Sequence, residues 1–243
     1  MTYDLFGRWA NRYDWHTPPH HYQHDHSFVL SRLPRAGCRV LDVGCGTGVF
    51  LEKAIGAGFN AIGIDSSEEM IAVAAERVGS HCVKVERMQE LVEFESYDAI
   101  VSLSWSFNYV NSVKEAKEVL IRFSSALRAG GQLILQIAHA PNATGKLQED
   151  REPGPEGQTA DILFLYRFSQ AGETNDELRA RYVYGCASRN ELVFEEHRLC
   201  AANAREIAAL ASDVGFQGVE LLDSWRGEPL DQSLNALLLA RRP

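Results

Sequence analysis

The sequence predicts an α/β domain built on a parallel sheet with helices on both faces, interrupted late in the chain by antiparallel strands. Three observations predict it. Short apolar runs alternate with helical stretches through short connections between residues 38 and 140, the pattern of βαβ units. A glycine cluster, Gly44-Cys45-Gly46-Thr47-Gly48, sits where a strand turns into a helix. After Pro141 the alternation gives way to three consecutive β-like runs separated by turn residues, a meander in place of further βαβ units. With 243 residues, 45% of them hydrophobic and 23% charged, the chain can bury a sizeable core as a single domain.

The elements follow in order. Residues 1–35 read as a helical lid in two segments separated by Thr17-Pro18-Pro19, with Phe6, Trp9, Ala10 and Tyr13 at helical spacing in the first and Tyr22, His26 and Val29 in the second. Residues 38–140 form the core. Strands are predicted at Arg39–Val43, Phe59–Asp65, His81–Val85, Tyr97–Leu103 and Gln132–Ala138, with helices from Val49 to about Ala57, Ser67 to about Val78, and Val113 to Leu127. Glu68 and Glu69 open the second of these helices, where the helix dipole favours acids. Ala129-Gly130-Gly131 supplies a turn. Asn142–Ala160, rich in Gly, Pro, Glu and Gln, reads as a loop. The insertion, 160–200, carries the runs Ile162–Phe168, Leu178–Ala187 and Glu191–Cys200. Residues 203–243 return to the core with a helix at Ala204–Val214 and strands at Phe216–Leu222 and Ser233–Ala240.

Composition narrows the function. Twenty-four basic against 33 acidic residues leave a net charge of −9, which argues against nucleic acid as a partner. No apolar run reaches membrane-spanning length and the first residues lack a secretory pattern, so no membrane partner is expected. Five widely spaced cysteines without a C-x-x-C pair fit a reducing, cytoplasmic setting better than disulfides or a zinc knuckle.

The segment Val40-Leu41-Asp42-Val43-Gly44-Cys45-Gly46-Thr47-Gly48 carries most of the chemistry. Glycines between strand and helix let the backbone turn tightly and approach a ligand. The dinucleotide fingerprint wants a sixth-position glycine where Val49 stands, so the spacing suits a nucleoside without pyrophosphate. Asp65 follows at the end of the next strand, where a carboxylate can accept both ribose hydroxyls. The alternative is a plain structural turn with Asp65 at the helix cap, which must explain both elements at once.

These residues, with GID at 63–65, YDAIVSLS at 97–104 and LRAGGQLIL at 127–135, resemble the class I S-adenosylmethionine-dependent methyltransferases. The resemblance implies a Rossmann-like seven-stranded sheet in the order 3-2-1-4-5-7-6 with one antiparallel strand, and S-adenosylmethionine as cofactor. It places Gly44, Gly46 and Gly48 around the methionine moiety, Asp42 bracing that loop, Asp65 on the ribose with Ser66 beside it, and Met70 under the adenine. An Asp is usual in this family where Arg87 stands here, so the adenine edge falls to Met88 and Gln89. Ser104 is expected to offer its carbonyl near the cofactor amino group. Met70 is equally explained as core.

The acceptor is expected beyond the carboxyl ends of the strands. Tyr13 and Tyr22 of the lid, Tyr109 after the fourth strand and His139 at the end of the fifth are the candidates to touch the reacting centre, His139 as a base. The tyrosines read equally as packing residues, and His139 as a hydrogen-bonded strand-end histidine. The set resembles the small-molecule subgroup of glycine and amino-sugar N-methyltransferases, which implies a lid with tyrosines and an antiparallel sheet over the pocket. Five histidines crowd between His16 and His26, with His20 and His24 four residues apart. Without an H-E-x-x-H pattern or nearby cysteines they suit a polar, substrate-facing lid, and no metal is expected. The expected reaction is methyl transfer to a small polar metabolite or natural-product intermediate at N or O, with a homodimer as a possible assembly. The alternatives are intramolecular cyclisation of the cofactor's aminobutyl chain and a cofactor-binding subunit without catalysis.

Overall fold

The computed structural model describes residues 3–140, 144–152, 162–171, 176–187, 190–223 and 226–243. Its main sheet contains β1 (Arg39–Val43), β2 (Asn60–Asp65), β3 (Val83–Val85), β4 (Tyr97–Ser102), β5 (Leu127–Ala138), β10 (Gln217–Leu222) and β11 (Asn235–Arg241). The spatial order is β10-β11-β5-β4-β1-β2-β3. Counted along the seven core strands this is 3-2-1-4-5-7-6, as expected, with β11 antiparallel to both β5 and β10.

β1 is central, and its Val40–Val43 are all buried because helices cover both faces. Alternation along the strands divides the core in two. Leu41, Val43, Ile100, Leu133, Leu135 and Leu238 face α5 (Val113–Ala126) and α6 (Ala204–Asp213). Val40, Ala99, Val101, Ile134 and Leu237 face α3 (Val49–Gly56), α4 (Glu68–Val78) and the lid helix α2 (Gln23–Arg32). On α5, Ala116, Val119, Leu120, Phe123 and Ala126 repeat at three- and four-residue steps and are fully buried. Burial of each larger side chain stabilises the fold by roughly 1.5–3 kcal/mol. Ser112 caps this helix, accepting from the Glu115 amide at 3.2 Å.

The insertion forms a second, wholly antiparallel sheet in the order β6-β7-β8-β9: Thr144–Glu152, Ile162–Ala171, Glu177–Cys186 and Glu191–Leu199. Here the sequence reading needs correction. Residues 144–152 pair with β7 as a fourth strand instead of remaining loop. The segment TGKLQEDRE has no period-two apolar pattern, and a charged composition is one that edge strands use to discourage further pairing. The remainder of the expected loop, 142–143 and 153–160, lies outside the described residues. The Ala129-Gly130-Gly131 turn is absorbed into β5, which begins directly after α5 and pairs with β4 through a register shift.

The lid is also more broken than two helices. Two short 3-10 turns, Ala10–Arg12 and Pro19–Tyr22, precede α1 (Tyr13–His16) and α2. Leu5 and Trp9 pack with Phe164, Tyr184 and Cys186 of the insertion, so the N-terminal segment lies between the second sheet and the open end of the first.

Candidate active site

At the carboxyl ends of β1, β2 and β4 lies a cavity of about 670 Å³, within the range of small-molecule sites, roughly 300–1,000 Å³. The glycine loop forms its floor. Gly44 takes φ +73°, and a Cβ there would stand 2.4 Å from that of Ser106, so only glycine admits this approach. Gly46 also lines the cavity, and its amide donates to Asp65 Oδ2 at 3.0 Å. Gly48 does not line it. That glycine caps α3 at φ +80°, and a Cβ would stand 3.2 Å from the Cβ of Ala74, so it serves the close packing of α3 on α4.

Two carboxylates share the floor. Asp65 is pinned, accepting from the Ser67 amide at 2.9 Å as well as from Gly46. Burial raises its pKa against those hydrogen bonds. Asp42 is 2% exposed, and burial followed by the neighbouring Asp65 pushes its pKa up to about 8. Two acids without a cation between them make a site whose charge a cationic ligand would balance. Ser66, Met70, Met88 and Gln89 line the same cavity, whereas the Arg87 side chain reaches its exposed rim.

The segment after β4 is held under strain. Ser104 and Trp105 both take left-handed φ, +49° and +64°, conformations that persist only when neighbours enforce them. The Ser104 amide donates to Gln136 Oε1 at 2.8 Å, while Gln136 Nε2 donates to Asp25 of the lid at 2.9 Å. Trp105 Nε1 donates to Asn235 at 2.6 Å. Asn108, fully buried, accepts from the Ala138 amide and donates to the carbonyls of Cys200 and Ala201. It thereby joins this turn to the ends of β5 and β9 and sets the position of Tyr109.

The lid closes the opposite side with Tyr3, Phe6, Tyr13 and Tyr22. Burial raises the pKa values of both the Tyr13 and the Tyr22 phenol, and each phenol also influences the other. Ser67 Oγ donates to the Phe6 carbonyl at 2.6 Å, and Thr47 Oγ1 donates to Asp14 Oδ1 at 2.6 Å. Arg77 pairs with Asp14 and also donates to the Thr47 carbonyl at 2.9 Å. The insertion adds Arg179, Glu196 and Arg198 at the rim.

His139 is not brought to the cavity. It is buried, and its Nδ1 accepts from the Ala204 amide at 3.2 Å, capping α6 in the manner of a strand-end histidine. The lid histidines do not act as a group either. His20, His21 and His24 are exposed; His16 stacks on Trp9, and His26 stacks on Tyr22. Sequence reading missed His197 and Glu195 on β9. His197 is fully buried with Nδ1 2.7 Å from the Tyr109 hydroxyl, a partner 88 residues away that no local pattern announces.

A methyltransferase-domain family profile matches residues 15–221, most of the chain. The chain belongs to this methyltransferase family. A Geobacillus sp. (strain WCH70) protein named only as a methyltransferase is 26% identical over 251 residues, covering all of both chains. The glycine/sarcosine N-methyltransferase of Halorhodospira halochloris is 30% identical over 135 residues, 53% of this chain and 49% of that protein. The chain thus spans about half the length of that relative. Among solved structures, the sugar N-methyltransferase KedS8 from Streptoalloteichus sp. superposes with a TM-score of 0.75 at 21% identity, over 100% of this chain and 93% of its own, a likeness of fold. S-adenosylmethionine is the cofactor of this methyltransferase, and the groups present, two carboxylates on the floor and aromatic rings on the lid, are of the kind that suits a ligand with hydroxyls and a cationic end. Among the described residues no helix is long and apolar enough to cross a membrane.

Proposed function

We propose that this methyltransferase transfers the methyl group of S-adenosylmethionine to the nitrogen of a small polar amine. The observation that carries the reading is the shared cavity, which an acidic floor and a tyrosine-bearing lid line together. When bound, the cofactor supplies an electrophilic methyl group on a sulfonium. Asp65 holds the ribose hydroxyls, and Gly44 and Gly46 allow the backbone to lie against the methionine moiety. Asp42 balances the ammonium, Met70, Met88 and Gln89 border the adenine, and the Ser104 carbonyl faces the amino group. The faces of Tyr13, Tyr22 and Tyr109 suit a cation, worth about 0.5–2 kcal/mol per contact. The chain's further task is to align the nucleophile and exclude water, because the leaving group is already good. The lid contacts through Ser67, Thr47 and Asp14 serve that exclusion.

Arg179, Glu196 and Arg198 at the rim favour an acceptor carrying charge of its own. The glycine/sarcosine and sugar enzymes named above are both N-methyltransferases, which supports nitrogen over oxygen as acceptor. The test is incubation with S-adenosylmethionine and matched pairs of small amines and alcohols, glycine and amino hexoses included. S-adenosylhomocysteine formed only with amines supports the reading. Formation only with alcohols overturns the nitrogen assignment, and methylthioadenosine formed without acceptor overturns methyl transfer.

A further inference from the structure

The amine reading leaves open how the nucleophile is aimed, and the side of the cavity formed by Tyr109, at the end of the 3-10 turn Ser106–Tyr109, bears on it. Tyr109 lines the cavity, and its hydroxyl lies 2.7 Å from His197 Nδ1. The other ring nitrogen, Nε2, lies 3.4 Å from Glu195 Oε2. Glu195 also accepts from the Leu5 amide at 2.9 Å, from the Asp4 amide, and from the Tyr184 hydroxyl at 2.5 Å. Burial opposes its charge, but these donors outweigh burial and its pKa is lowered. A carboxylate accepts only, so the hydrogen between it and His197 belongs to Nε2. Nδ1 is then the acceptor, and the hydrogen between His197 and Tyr109 belongs to the tyrosine.

The consequence is directional. The proton of Tyr109 is committed to His197, so toward any ligand in the cavity its oxygen can only accept. A neutral amine has one lone pair, and that pair is the nucleophile. A hydroxyl free to donate would cap it; a hydroxyl restricted to accepting binds the N–H instead and leaves the lone pair to point elsewhere. We propose, building on the amine reading, that the Tyr109–His197–Glu195 chain locks Tyr109 as a hydrogen-bond acceptor that aims the N–H-bearing nucleophile. Tyr109 touches the acceptor; His197 and Glu195 are positioning residues. The lock selects acceptors that still carry an N–H in the neutral form, so methylation proceeds through primary and secondary amines and stops at the tertiary amine.

The surroundings keep the lock set. Tyr3 stacks on the His197 ring at 3.7 Å, Phe6 and Tyr182 meet it edge-on, and Tyr109 closes the remaining side. The ionised group facing it is Glu195, and the titratable ones are Tyr3, Tyr109 and Tyr182. Burial lowers the His197 pKa to about 4 against the pull of Glu195, so the ring is neutral at pH 7 and Nδ1 is free to accept.

The experiment combines spectra and kinetics. In the [15N]histidine spectrum of the protein bound to S-adenosylhomocysteine, the resonance lost in His197→Gln is expected to show a neutral ring protonated at Nε2 from pH 7 down to near pH 5. An Nδ1-protonated or doubly protonated ring at pH 7 overturns the lock. With glycine and a 3-amino hexose as probe amines, Tyr109→Phe and His197→Phe are expected to lower kcat about 10–100-fold while S-adenosylhomocysteine affinity changes less than about twofold. Wild-type kcat in both variants overturns the role. If His197→Phe fails to bind S-adenosylhomocysteine, Tyr109→Phe carries the test, since it removes one oxygen. Trimethylated product from the wild type overturns the selection. Failure of the wild type to turn over any amine counts against the amine reading, and the histidine spectrum still decides the lock.

Discussion

Asp65 shows how one side chain serves fold and ligand together. Its oxygens accept from the Gly46 and Ser67 amides, tying the glycine loop to the start of α4. On the proposed reading the remaining lone pairs take the ribose hydroxyls. Asp65→Ala is expected to weaken S-adenosylmethionine binding at least about 100-fold, since two charge-assisted hydrogen bonds contribute roughly 1.5–3 kcal/mol each; unchanged affinity in a calorimetric titration sinks the ribose assignment. Asp42 makes a separate prediction. Its pKa stands near 8 because of burial and Asp65, so at pH 7 the free protein holds a proton there. A bound cation lowers that pKa and expels the proton. Affinity for S-adenosylmethionine is therefore expected to rise with pH up to about 8, with close to one proton released near neutrality. Titration at pH 7 in two buffers of different ionisation heat measures that proton, and its absence argues against Asp42 facing the cationic end.

At the scale of elements, the lid is fastened to the cofactor-binding loops by few contacts. Asp14 joins Thr47 of the glycine loop to Arg77 of α4, and Ser67 holds the Phe6 carbonyl while capping α4 through the Met70 amide. The side chains of Asp14 and Arg77 are each 21% exposed, so the pair is only partly screened. Asp14→Ala is expected to cost about 1–2 kcal/mol of lid closure, read as about 5–30-fold faster release of bound S-adenosylhomocysteine and quicker proteolysis before residue 35. Unchanged release places the closure elsewhere. The second sheet has a complementary role. β8 and β9 carry Arg179, Glu196 and Arg198 to the rim and His197 behind Tyr109, so on the proposed reading acceptor recognition and cofactor binding fall to different elements.

For the whole molecule, several buried histidines link folding to pH. Burial, joined by Arg12 at His16 and Lys53 at His26, lowers their pKa values to about 4 and about 3, and burial brings His197 to about 4. These rings are charged more easily in the unfolded chain, so stability is lost as pH falls through about 6.5 toward 4, by up to roughly 1.4 kcal/mol per pH unit for each histidine. Thermal melting from pH 7.5 to 5 is expected to show a falling Tm, less steep in His16→Phe; a flat profile contradicts the burial of neutral rings. The strands and the glycine loop were legible in the sequence because local periodicity and the Gly44–Asp65 spacing encode them. Strand 144–152 was not, because its pairing with β7 is supplied by tertiary context rather than by its own composition. The Tyr109–His197 pair was hidden for a related reason, since tertiary contacts such as the weld at Asn108 bring the two segments together. His139 illustrates the converse: strand-end position is visible in sequence, yet the choice between cavity and helix cap depends on where α6 begins. The central claim is that the acidic, tyrosine-lidded cavity holds S-adenosylmethionine for transfer of its methyl group. Calorimetric titration of the purified protein with S-adenosylmethionine and S-adenosylhomocysteine, followed by mass spectrometry of the mixture, tests it most directly. The account predicts that both bind and that S-adenosylmethionine stays intact until an amine is added; binding of neither contradicts it.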